Sequence, residues 1–270
     1  MRRPQLLLLL GALLVAGGCQ SGMLPNPNDP KDMGSLTPDN IREQLGCISD
    51  SLQTRLIRGE ISNKEFQSLM QQAADQLLAG FNPEKIDEAK AWQIGEIMIT
   101  AKHWDQAKVT LELAVQWAKQ HHDEDRVVND TLRLARVYAE MGKVPEAIKI
   151  ARSVFDVKPQ DGAPILYATA YEIVPAAFDK GSDVEIGKLL EDAIAIDLSV
   201  KVDTQSLPGQ EFLDWRPHHV AQAWTRVVEL YDHAGRTDLA TEARKKMDAA
   251  QATDRHRMAS RGRLSPLQSL

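Results

Sequence analysis

Apolar residues recur in this chain at i, i+3, i+4 and i+7, with a small residue at i+13. This five-position pattern occurs four times. Ile94, Ile97, Met98 and Ala101 lead to Ala107, and Leu134, Val137, Tyr138 and Met141 lead to Ala147. Val174, Ala177, Phe178 and Gly181 lead to Gly187, and Val227, Leu230, Tyr231 and Ala234 lead to Ala240. The small positions stand 40 apart twice (147−107, 187−147) and then 53 apart (240−187). Four apolar positions at that spacing give one helix a buried stripe. The small residue falls where the second helix of a hairpin crosses closest, and a larger side chain there would force the helices apart. The stretch "YAEMGKVPEAIKIARSVFDVKP", Tyr138 to Pro159, reads as a helix end, a turn at Gly142, a second helix and a proline stop.

The recurring unit resembles the tetratricopeptide repeat, a helix–turn–helix of about 34 residues. The matching residues of the last copy are Trp224, Val227, Val228, Tyr231, Gly235 and Ala240. The second copy has Leu134, Ala135, Tyr138, Gly142, Ala147 and Pro159, and the first keeps Ile94, Gly95, Trp104 and Ala107. In the third, Tyr171, Val174, Phe178 and Gly187 fit, but Pro175 stands where the family has Gly or Ala. Proline inside a helix costs ~3 kcal/mol or more unless the chain kinks, so that copy is expected to bend. The resemblance implies an all-α fold, a helix–turn–helix solenoid wound into a superhelix. It also implies a groove lined by first helices in which a partner peptide or helix lies. Transferred residue by residue, the groove positions are Trp92, Glu96, Thr100, Asn129, Arg136, Glu140, Gln222 and Glu229.

The N-terminus constrains where the chain resides. "MRRPQ" is a short positive region, and "LLLLLGALLVAG" is too short for a bilayer span of roughly 20 residues. It runs into "VAGGC", which resembles the lipobox of bacterial lipoproteins. The resemblance implies a signal peptide over residues 1–18, lipidation at Cys19, and anchorage in a cell-envelope membrane. With Gln20 rather than Asp after the cysteine, it implies the outer membrane, facing the periplasm, in a Gram-negative cell. Residues 19–38 carry Pro25, Pro27, Pro30 and Pro38 without helical or strand periodicity and are expected to form a flexible tether. Residues 39–81 read as a helical hairpin, with Ser62 and Glu65 in a capping-box pattern. The repeats occupy 82–253 and carry an insertion at 197–219. In that insertion Pro208-Gly209 reads as a turn, and Trp215 is expected on a loop. The segment 254–270, with Arg255, Arg257, Arg261 and Arg263, is expected to be a basic disordered tail.

The net charge of −6, or −8 once Arg2 and Arg3 leave with the leader (30 basic, 38 acidic), argues against nucleic-acid binding, which needs cations to displace counterions. With Cys19 lipidated, Cys47 is the other of two cysteines, so no intrachain disulfide can form. No G-x-S-x-G, H-E-x-x-H or Walker motif is present. His121-His122 and His218-His219 lack a second pair at ligand spacing. No catalytic residue, metal site or cofactor is therefore expected. The functional expectation is a lipid-anchored adaptor for protein partners, in assembly of envelope, pilus or secretion machinery. The alternative is an envelope enzyme or enzyme regulator acting on wall or polysaccharide.

Overall fold

The computed structural model describes residues 36–81, 86–157 and 165–264, with side chains as far as residue 257. The leader, Cys19, most of the tether and Pro159 lie outside the described residues. Every regular element among the described residues is helical. The chain divides into two compact units, Met1–Ile86 with Ile97–His103, and Asp87–Glu96 with Trp104–Leu270.

In the first unit α1 (Pro38–Ile57) pairs with α2 (Asn63–Ala79). Ile41, Leu45 and Leu52 of α1, and Ala73, Ala74 and Leu77 of α2, are buried. The helix starts at Pro38, where the missing N–H has no intrahelical partner to lose, and Thr37 caps it by accepting from the Asn40 N–H at 3.3 Å. Gly59 closes the helix at φ +70°, and the Ser62–Glu65 capping box forms in both directions. Ile97–His103 belongs to this unit as the end of α3 (Ala91–Thr100), and Lys102 takes a left-handed turn at φ 60°.

The second unit begins with a 3-10 turn, Glu88–Lys90, and the first part of α3. It continues through α4 (Trp104–Gln120), α5 (Glu124–Glu140) and α6 (Val144–Arg152). A broken helix comes next: α7 (Ile165–Ala168), a π-helical turn (Thr169–Ile173) and α8 (Val174–Ala177). The unit ends with α9 (Asp183–Ser199), α10 (Leu207–His233) and α11 (Thr237–Leu264). The largest packing contacts join α4 to α5, α5 to α6, α9 to α10 and α10 to α11. This is a stack of helix–turn–helix hairpins.

The small positions lie at its closest approaches. Ala107, Ala147 and Ala240 are wholly buried. A Cβ on Gly187 would stand 2.5 Å from Cε1 of Tyr231, and one on Gly95 would stand 2.7 Å from Cδ2 of Leu111. Neighbouring hairpins are also tied by polar contacts about one repeat apart. Arg152 Nη2 donates to Asp192 Oδ2 at 2.8 Å, the Tyr231 hydroxyl donates to Glu191 Oε1 at 3.0 Å, and Lys180 Nζ donates to the Ala139 carbonyl at 2.8 Å.

The hairpin turns share one closure. At the α5–α6 turn, Gly142 N–H donates to Ala139 O and Lys143 N–H to Tyr138 O, with Gly142 at φ +76°. Gly235 repeats this between α10 and α11, and His122 repeats it between α4 and α5 at φ 54°. A side chain at a left-handed position costs about 1–2 kcal/mol.

Around Pro175, where a bend is expected, the third copy passes through a π-helical turn. Pro175 cannot donate to the carbonyl four residues back. The chain takes in one extra residue there, and the Val174 N–H reaches the Thr169 carbonyl, five positions away. Phe178, at an apolar-stripe position, is left exposed.

The C-terminal third differs from the sequence expectation in two ways. The insertion 197–219 is mostly helix, because α9 runs to Ser199 and α10 starts at Leu207. Pro208 lies in the first turn of α10, where its missing N–H costs nothing, and Ser206 caps that helix. Trp215 therefore sits on a helix. Gly209 is needed, since a Cβ there would lie 2.0 Å from the Asp203 carbonyl oxygen. The tail expected to be disordered from Asp254 continues α11 to Leu264. Its Asp254 accepts from Arg257 Nη2 at 3.0 Å and pairs with His218 Nδ1 at 3.1 Å, which gives the segment partners on α10. The inward side of α11 carries Ala240 and Ala243, while Asp238, Thr241, Glu242, Lys245 and Asp248 are exposed.

Gly187→Ala is expected to lose about 1–3 kcal/mol of stability through its clash with Tyr231. Gly142→Ala should lose about 1–2 kcal/mol, whereas His122→Gly should gain about 0.5–1 kcal/mol at the same kind of turn. Urea unfolding midpoints of the three variants check the opposite signs.

Candidate protein-binding face

Helices α3, α5, the broken helix α7–α8 and α10 are the first helices of successive hairpins. Side-chain contacts tie each to the next, and these contacts build the face on which seven of the eight nominated groove residues sit. The eighth, Thr100, belongs to the first unit.

The first tie is the densest. The Trp92 ring on α3 lies under two guanidinium groups of α5, Arg126 at 5.3 Å and Arg133 at 5.4 Å from its centroid. Arg126 also stands 5.2 Å from the Trp117 ring. Beneath them Asp130, with no exposed surface, accepts from Arg126 Nε at 2.9 Å and from Arg133 Nη1 at 3.1 Å. Arg133 reaches back to Glu96 at 2.5 Å, and Arg126 Nη1 donates to the Ala89 carbonyl at 3.1 Å. Burial pushes the Asp130 carboxyl above the ordinary carboxylate range, and both arginines oppose that shift. A buried carboxylate persists in such a place because it is paired and hydrogen-bonded.

The second tie joins α5 to the broken helix. Arg136 Nη1 stands 3.6 Å from Glu172 Oε2. Lys180 reaches Glu140, with Nζ 4.0 Å from the carboxylate and 3.3 Å from the carbonyl. Asn129 turns back on its own helix and donates to the Asp125 carbonyl at 2.9 Å.

The third tie joins the broken helix to α10. The Tyr171 hydroxyl donates to Gln222 Oε1, and Arg226 lies 5.2 Å from the Tyr171 ring. Gln222 Nε2 contacts His218 Nε2 at 2.8 Å, and His218 leads to Asp254. Glu229 is exposed on the same helix, beside a cleft of about 300 Å³ lined by Val174, Pro175, Phe178, Arg226, Glu229 and Leu230.

Arg126, Asp130, Arg133, Tyr171, Glu172 and Arg226 complete this face and were not nominated from sequence. One signal was available: Asp130 lies four residues before Leu134 and seven before Val137, on their apolar stripe, where an unpaired charge would not be kept.

Three other sequence candidates take structural places. The His121 ring stacks on Trp117 with centroids 4.1 Å apart, and its Nδ1 lies 2.9 Å from the Trp117 carbonyl. Trp215 is 49% exposed, with Arg257 5.4 Å from its ring and His219 stacked at 6.4 Å. Arg216 donates to the Val200 carbonyl at 2.9 Å and lies 3.6 Å from Asp197, which pins the link between α9 and α10. Burial pushes the Asp197 carboxyl up to about 6, against the pull of Arg216. Among the described residues no group of three or more His, Cys, Asp or Glu is placed to hold a metal ion, and no helix is long and apolar enough to cross a membrane.

No protein-family model matches the chain, and no curated protein matches it. A solved structure of nearly identical TPR-like repeats, described for a kinesin light chain of Podosopora anserina, is 18% identical. The match covers 80% of this chain and 97% of that one, with a TM-score of 0.43.

Asp130→Ala should cost about 3–5 kcal/mol, because it leaves two guanidinium groups unpaired. Urea unfolding monitored by tryptophan fluorescence measures it. Asp197 sets a pH dependence. Unfolded, an aspartate releases its proton near 3.9, while the folded chain holds it to about 6. The folded state then binds more protons between those values, so stability falls as pH rises from about 4 through 6. Asp197→Asn should flatten that slope in unfolding curves taken across the window.

Proposed function

We propose that the chain is a lipid-anchored scaffold of the cell envelope that binds protein partners along the face formed by α3, α5, the broken helix and α10. One observation carries the reading: three side-chain ties hold four consecutive first helices edge to edge. They present aromatic and charged groups in one row from Trp92 to Glu229. A rigid row of Trp, Tyr and Arg suits protein recognition, since such residues dominate interface energies and lose little entropy on binding. The anchor is supported by the "VAGGC" stretch, where an acylated Cys19 would add ~0.8 kcal/mol per buried CH₂ and need two or more chains for stable attachment. In a Gram-negative cell that anchor would hold the scaffold on the periplasmic side of the outer membrane. There it would serve assembly of envelope, pilus or secretion machinery.

Two measurements test this. Metabolic labelling with a palmitate analogue should mark the wild-type chain and not Cys19→Ser, and the variant should leave the membrane fraction. A photo-crosslinking residue placed at Arg136 or at Gln222 should capture the same discrete protein in cells. The same residue at Glu242, on the exposed side of α11, should capture none. Equal capture from all three positions would defeat the assignment of the face.

A further inference from the structure

Most of the charge on the first-helix face is spent inside the chain. Glu96 pairs with Arg133, Arg136 with Glu172, and Glu140 with Lys180. Arg226 and Glu229 differ. Among the described residues Arg226 meets the Tyr171 ring and no carboxylate, and Glu229 meets no cation. Both border the cleft beside Pro175. Its floor is Val174 and Leu230, 3% and 1% exposed, and its walls are Pro175 and Phe178. Phe178 is held in place by His233, whose ring lies 4.7 Å away and is itself fixed by Asp183 at 2.7 Å. The cleft lies where the π turn gives way to α8 at Pro175. At about 300 Å³ it lies at the lower end of ligand pockets (~300–1,000 Å³), room for one or two side chains and not for a large cofactor.

The geometry points to this cleft as a docking pocket for a partner protein segment. That segment seats one apolar side chain between Pro175 and Phe178, offers a carboxylate to Arg226, and offers a cation to Glu229. The charge order comes from α10: residues three apart on a helix are neighbours, ~5–6 Å between Cβ atoms. A wholly acidic or wholly basic segment would leave one of the two charges facing its like. The apolar floor supplies the burial and the two charges supply the orientation. This inference rests on the scaffold reading and names where the partner's anchoring residue goes.

The test is a random dodecapeptide display library selected on the full chain held in detergent. Enriched peptides should carry an apolar residue flanked by an acid and a base. They should bind Phe178→Ala and Arg226→Glu at least tenfold more weakly than wild type, and Glu242→Lys as well as wild type. The double variant Arg226→Glu with Glu229→Lys should prefer the charge-reversed version of an enriched peptide. Circular dichroism and Tm of each variant report whether it is folded, and all three cleft substitutions fall on side chains outside the core. No enrichment, enrichment of one charge sign only, or peptides indifferent to both single variants would overturn the proposal. If cleft variants leave crosslinking from Arg136 and Gln222 intact, the scaffold stands and the pocket falls. If peptides select the cleft while those positions capture nothing in cells, the pocket stands and the scaffold reading falls.

Discussion

The second unit depends on how closely its helices approach at a handful of side-chain-poor positions. Ala107, Ala147 and Ala240 have no surface left, and Gly187 lets the Tyr231 ring lie against bare backbone. Ridges can enter grooves at such distances only where the side chain is small. Once the helices are that close, the polar contacts one repeat apart come within reach. Tyr231 illustrates the coupling. Its ring occupies the space that Gly187 leaves, and its hydroxyl then meets Glu191 one turn further along α9.

The first-helix face is a by-product of that nesting, and most of its charge is internal. Trp92 shows why a groove position inferred from a repeat should not be equated with a free contact. Arg126 and Arg133 both contact its ring within the chain. A ligand at that end would meet a preformed cation–aromatic layer resting on Asp130. Toward α10 the pairing thins out, and the face becomes aromatic around Tyr167, Tyr171 and Phe178. The chemistry of the face therefore changes along one row of helices.

Much of this was legible in the residues. Stripes at i, i+3, i+4 and i+7 with a small residue at i+13 encode helix pairs, because helical period and close approach are local properties. An irregularity of the helix at Pro175 was legible for the same reason. What failed was context. Pro208-Gly209 reads equally as a turn or as the opening of a helix, and the cap from Ser206 decides between them. Asp254 and Arg257 read as part of a solvated end because their partners, His218 and Trp215, lie about forty residues away in sequence. Arg126 and Arg133 carry no local signal that sets them apart. Only the packing of α3 on α5 converts them into a buried cluster.

The final helix carries a consequence of its own. Its inner side carries Ala240 and Ala243 and is covered by α10, and its outer side is mostly polar and charged. A further hairpin laid on that surface would have to strip water from charges without gaining apolar contact. That edge of α11 is therefore a poor seat for apolar packing.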